Sequence, residues 1–114
     1  MANNYTAFHK EVQKLMGQYR KESPDTMSGF IQTHKANSTD DALSAKMKEL
    51  IALSIAITVR CDGCIAFHVH DEVEAGATHE ESVEAIGVAI LMGGGPAVVY
   101  GSHALEALKQ FEAE

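Results

Sequence analysis

Tryptophan is absent, proline and cysteine occur twice each, and nine basic residues stand against sixteen acidic ones. Each shortage closes off a class of protein. With a net charge of −7 and only 6% aromatic residues, the chain does not read as a nucleic-acid binder, because neutralising phosphates needs clustered cations. The imbalance is regional: Asp71 to Glu114 holds nine acidic residues and one basic residue, so the last third presents an acidic surface. The stretch Ala85–Gly101 carries no charged residue but is broken by Gly93, Gly94, Gly95 and Pro96, which argues against a membrane span. Met1 to Lys10 lacks the charged start and apolar stretch of a signal peptide. This predicts a cytoplasmic protein whose cysteines are available as thiols.

What the chain does have is material for a core. Hydrophobic residues make up 46% of its 114 positions, enough to expect one domain that folds without help from a disulfide or a metal. Runs of Ala, Leu, Ile, Glu and Lys, with no sustained two-residue alternation, predict an all-α fold: a compact bundle of about six helices joined by short loops. The first spans about Tyr5 to Glu22, with Tyr5, Phe8, Val12, Leu15 and Tyr19 as its apolar stripe. Ser23 and Pro24 open a second, with Met27, Phe30, Ile31 and His34 on one face, and Asn37 to Asp41 breaks the chain. The third, about Ser44 to Val59, is apolar around its whole circumference from Leu50 onward, which predicts central burial. The fourth runs from near Cys61 to a terminating Gly76, and Thr78 with Glu81 forms a capping box for the fifth. Val83, Ile86, Gly87, Ile90 and Leu91 line one face of that helix, and Gly93 to Gly95 stops it. Pro96 starts a sixth helix whose small residues Ala97, Gly101 and Ala104 invite close approach by another helix.

The informative stretch is Cys61-Asp62-Gly63-Cys64 followed by His68. At about 100° per residue these three side chains fall within about 60° of one another, so they form one site at the head of a helix. Residues three apart in a helix sit close enough for a small adjustment to join them as a disulfide. The helix N-terminus favours a thiolate, and His68 is placed to take the thiol proton; Asp62 opposes ionisation and Arg60 offsets it. Two other readings stay open. Cys61, Cys64, His68 and Asp71 make a zinc ligand set, although the second Cys or His pair usual in zinc folds is missing. Inert buried cysteines are the blandest option, against which the Asp-Gly insert and His68 both speak. Glu49 heads the apolar third helix, so its carboxylate is either partly buried and suited to proton transfer, or solvated beside Lys46 and Lys48. His9, His34, His70, His79 and His103 show no partner pattern and read as packing or surface residues.

Glu49, eleven intervening residues, Cys61-x-x-Cys64-x-x-x-His68, an acidic helix, Gly76 and the Thr78 helix together resemble the alkylhydroperoxidase D-like group of the carboxymuconolactone decarboxylase superfamily, over about Ala42 to Leu108. The resemblance implies an all-helical fold, assembly into trimers or hexamers, and thiol-dependent reduction of a small hydroperoxide with no prosthetic group. It implies that Cys64 attacks the peroxide, that Cys61 resolves the sulfenic acid and exchanges with an external dithiol, and that His68 and Glu49 relay the proton. Gly63 departs from the founding pattern, which has a further histidine between the cysteines, and so shortens the relay. Decarboxylation of an acidic lactone and a zinc-stabilised assembly module are the competing functions. The large apolar area on six short helices predicts an oligomer whose interfaces approach the Cys61 and Cys64 site.

Overall fold

A computed structural model describes residues 4–114; the first three residues of the N-terminal stretch considered above lie outside it. Six helices follow one another: α1 (Tyr5–Glu22), α2 (Pro24–Ala36), α3 (Ala45–Thr58), α4 (Asp62–Glu74), α5 (His79–Gly93) and α6 (Gly95–Glu112), with no strand among the described residues. The boundaries are set by local chemistry. Ser44 Oγ accepts the Met47 N–H and Thr78 Oγ1 accepts the Glu81 N–H, while the Glu81 carboxylate accepts the Thr78 N–H, completing the capping box. At the end of α4, Gly76 takes φ +90°, and the Gly76 and Ala77 N–H groups return to the carbonyls of Val73 and Glu72. That pairing satisfies carbonyls the helix end would otherwise orphan. Ser23 precedes α2 as expected, but its hydroxyl contacts Thr26 Oγ1 rather than a backbone N–H.

Helices α3 and α6 each pack on both α4 and α5, and on each other, to make the main body, with α1 laid across α4 and α6. Leu53, Ile57, Ile65, Val69 and Leu108 lie at the centre of the core, with Ala66, Ala104 and Ala107 filling the narrow spaces between helices. The last two glycine-lined approaches behave differently. Gly101 of α6 meets α5 so closely that a Cβ there would stand 2.9 Å from Ile86 Cγ2. Gly87, on the face read from the sequence as the apolar stripe of α5, faces open space.

Central burial of α3 also needs correction. Leu50, Leu53, Ala56 and Ile57 are buried, but Met47, Ile51, Ile55 and Val59 form an exposed apolar edge. The face of α5 shifts too, since Ser82, Ile86 and Ala89 point inward while Val83, Val88, Leu91 and Met92 point outward. The first stripe packs only at its N-terminal end: Tyr5 and His9 are buried, whereas Leu15 and Tyr19 are exposed. Beyond them α2 buries no residue at all.

Gly101→Ala should therefore destabilise the fold by about 1–3 kcal/mol, because Ile86 is branched at the contact and cannot swing away. Gly17→Ala, at an exposed and uncrowded helical position, should change stability by no more than about 1 kcal/mol and in the favourable direction. Chemical denaturation of the two variants checks this; equal effects would mean that the α5–α6 contact is looser than described.

Candidate functional site

The site begins where α3 ends. Arg60 takes φ +60°, a left-handed conformation rare outside glycine, and the Arg60 and Cys61 N–H groups close the helix on the carbonyls of Ile57 and Ala56. The next residue, Cys61, is already the N-cap of α4, and its Sγ accepts the Cys64 N–H at 3.1 Å. No loop separates the two helices. The sulfurs of Cys61 and Cys64 are joined as a disulfide across a Cα–Cα distance of 5.2 Å, so neither is a free thiol in this form. A bridge between residues three apart constrains little of the unfolded chain compared with a long-range staple.

One turn along α4, His68 Nδ1 lies 2.8 Å from Glu49 Oε1 of α3. Glu49 is only 8% exposed, and the two lysines that might have solvated it are engaged elsewhere, Lys46 with Glu81 and Lys48 with Asp41. The structure thus brings together all four residues singled out in the sequence: Cys61, Cys64, His68 and Glu49. With Nδ1 on the carboxylate, Nε2 of the imidazole has no hydrogen bond among the described residues.

That cavity, about 460 Å³, is roofed by α1 and α2. Val12, Met16, Phe30, Ile31 and Phe67 give it apolar walls; Cys61, Cys64, His68, His34, His70 and Asp71 line its polar side. His9 holds α1 over it. Its ring stacks on His70 at 4.5 Å and meets Phe67 and Phe111 edge-on. Burial, with His70 adding to it and Asp71 opposing, pushes the His9 imidazole below its usual pKa in this aromatic slot.

Several participants were not legible as such. Asp62, which sequence reasoning sets against the thiolate, lies 3.1 Å from His103 Nδ1 on α6, so its charge is shared with a histidine 41 positions away. Asp71 does not join the cysteines and His68 in a zinc set, because the sulfurs are bonded to each other. It holds His70 Nδ1 at 2.9 Å and faces His34 and Glu49, with a ligand atom of each of these three residues within 4.8 Å of the others. Those three are the residues that could hold a metal. Glu72, one residue on, is fully buried beside Ser82, and neither side chain has a hydrogen-bond partner of good geometry among the described residues. Burial pushes the Glu72 carboxyl up to about 7; the nearby Ser82 hydroxyl softens the effect, Glu49 and Glu112 add to it, and His68 opposes it.

The family model for the carboxymuconolactone decarboxylase family matches residues 24–109. The chain belongs to the carboxymuconolactone decarboxylase family. A family protein from Legionella pneumophila, solved in its apo form, superposes with a TM-score of 0.90 at 41% identity, covering 94% of this chain and 96% of that one. A family protein from Thermotoga maritima, suggested to act in the antioxidative response, gives a TM-score of 0.83 at 26% identity, covering 92% of this chain and 90% of that one. An uncharacterised protein of Cupriavidus necator is 38% identical over 95 residues, which is 83% of this chain and 84% of its own length. The all-α, six-helix fold expected from the sequence is the fold of this family.

Against that family frame, Glu72 carries a pH signature. Its carboxyl titrates near 4.5 when unperturbed and near 7 in the fold, so between these values the folded chain retains a proton that the unfolded chain has released. Stability from this group therefore falls as pH rises through that window and is lowest above pH 7. In chelator-treated buffer, Glu72→Gln should gain on the wild type by roughly 2 kcal/mol more at pH 8 than at pH 5. Urea unfolding at the two pH values is the measurement, and a pH-independent difference would show that the carboxyl is not buried as described.

Proposed function

We propose that this protein is a thiol-dependent hydroperoxidase working in a reducing, cytoplasmic setting. The observation that carries the reading is the Cys61–Cys64 disulfide at a cavity wall shared with His68, itself held by Glu49. In the reduced protein, Cys64 passes its proton to His68 and attacks the peroxide as thiolate. The O–O bond breaks, one oxygen stays on Cys64 as sulfenic acid, and the alcohol leaves with the proton returned by His68. Cys61 then displaces water from Cys64 to form the disulfide, and an external dithiol supplies two electrons to reopen it. Glu49 orients His68 and balances its charge while it carries the proton. The disulfide form is the product state of this cycle.

The apolar walls support an organic hydroperoxide over hydrogen peroxide, since a carbon body gains by leaving water and a bare peroxide does not. The antioxidative role suggested for the Thermotoga maritima relative points the same way. Lactone decarboxylation, from which the family takes its name, asks an acidic substrate to approach Glu49 and Asp71 in an acidic protein. The thiol count separates the two. One equivalent of organic hydroperoxide should remove both thiols of the reduced protein and yield one equivalent of alcohol. Cys61→Ser should complete a first turnover and stall as sulfenic acid or a mixed disulfide, whereas Cys64→Ser should lose the first turnover by a hundredfold or more, on the order of 3 kcal/mol in barrier. Two thiols surviving peroxide consumption would rule out the cycle.

The protein also works as an assembly in this reading, with a trimer or hexamer as the preferred count. The outward edges of α3 and α5 supply the support: Leu91 is 79% and Met92 77% exposed, alongside Ile51, Ile55, Val59 and Val88. Apolar edges of this extent are usually covered in a closed oligomer. Sedimentation equilibrium at micromolar concentration should give a multiple of 12.3 kDa, and Leu91→Lys with Met92→Lys should shift the mass toward the monomer. A wild-type monomer would overturn this part of the proposal.

A further inference from the structure

His34 of α2, Glu49 of α3 and Asp71 of α4 arrive from three helices, and a ligand atom of each lies within 4.8 Å of the other two. None of these contacts is close enough to be an ion pair, for the ion pairs of the two carboxylates run elsewhere: Glu49 Oε1 to His68 and Asp71 Oδ1 to His70. Each carboxylate is thus oriented by a histidine Nδ1 on one oxygen, while its second oxygen has no hydrogen bond among the described residues. Histidine and carboxylate partners of this sort are what hold metal ligands in register.

The charge balance points to a cation. Two carboxylates, one of them largely buried, converge with the His34 imidazole, and their hydrogen-bond partners, His68 and His70, are histidines rather than permanent cations. No lysine or arginine forms an ion pair with either, and the cations nearest in sequence to Glu49 are spent on Glu81 and Asp41. A carboxylate taken out of water without a permanent counter-charge, as Glu49 is, is costly, and a divalent ion beside it offsets that cost. The spacing suits one as well. Ligand atoms bound at about 2.0–2.2 Å stand about 3–4 Å apart around the ion, so side-chain rotations of about an ångström close the present gap.

We propose that His34, Glu49 and Asp71 form a divalent transition-metal site on the cavity wall, separate from the two sulfurs. One imidazole and two carboxylates, with positions left for water, suit Zn²⁺ or Mn²⁺, and the absence of a thiolate from the set excludes the soft-metal chemistry a reduced CxxC invites. Because Glu49 also holds His68, a bound ion draws that carboxylate's charge away from the imidazole. The site does not depend on the peroxidase reading and is tested without peroxide.

The test uses the disulfide form, freed of metal with a chelator, so that Cys61 and Cys64 cannot ligate. Calorimetric titration with Zn²⁺ alone, and separately with Mn²⁺ alone, should give one ion per chain for at least one of them at micromolar affinity. His34→Ala and Asp71→Asn should each weaken binding tenfold or more. His34 is exposed on a helix that buries nothing, so its removal leaves the fold intact, which circular dichroism verifies. His79→Ala, which removes an exposed histidine paired with Glu112 across the molecule, should leave binding unchanged. Co²⁺ should in addition give a visible absorption band in the wild type that is missing in His34→Ala. Failure of both Zn²⁺ and Mn²⁺ to bind stoichiometrically, or binding that survives both His34→Ala and Asp71→Asn, overturns the site.

Discussion

The junction at Val59, Arg60 and Cys61 is the constraint on which the rest of the site depends. Because Arg60 reverses the chain in one left-handed step, α4 starts as soon as α3 has stopped. The cost of holding a non-glycine residue in that region, on the order of 1 kcal/mol, is offset by the two N–H groups that return to α3. Three consequences follow from this single turn. Cys61 becomes a helix cap, Cys64 falls in the first turn above it, and His68 comes to lie alongside Glu49 of the preceding helix. A longer connection would leave the carboxylate and the imidazole on helices free to slide past each other.

Electrostatics in this region is arranged around histidines rather than around lysine or arginine. Asp62 is matched by His103, Glu49 by His68 and Asp71 by His70, each at hydrogen-bond distance. Histidine is the one side chain whose ordinary pKa lets it change charge near neutrality. An acidic protein with an excess of carboxylates thus places histidines, rather than permanent cations, beside three of them here. Glu72, neutral or charged around the same pH, lies behind them without a counter-group of its own.

The helix boundaries were legible because their signals are local: Ser44, Thr78 with Glu81, Gly76 and Pro96 act within one turn of themselves. The spacing of Cys61, Cys64 and His68 was legible for the same reason. What could not be read was whatever needs two helices to meet. Periodicity marked α3 as apolar all round, but a hydropathy pattern cannot tell an edge covered by the same chain from one left bare, and Ile51, Ile55 and Val59 are bare. Arg60 carries no sequence signal for a positive φ. Glu72 looks like one more charge in an acidic stretch, and only its tertiary surroundings, with Ser82 of α5 beside it, place it inside. His34, Asp71 and His103 acquire partners through tertiary proximity alone. The pairing of Glu49 with His68 was anticipated through the family resemblance, not from the nineteen-residue separation itself.

The shallow seating of α2 has a consequence for how the cavity admits anything. One wall of the chamber is built on the core helix α4, while the opposite wall includes Phe30, Ile31 and His34 from a helix with no buried residue that packs on α1. Segments with so little buried area open at a small fraction of the free energy needed to unfold the whole domain. The chamber is thus asymmetric in its anchoring: its reactive side stands on a helix with four buried residues, and its outer side includes a helix with none. Displacing α2 would therefore leave the sulfur atoms and their histidine where α4 holds them.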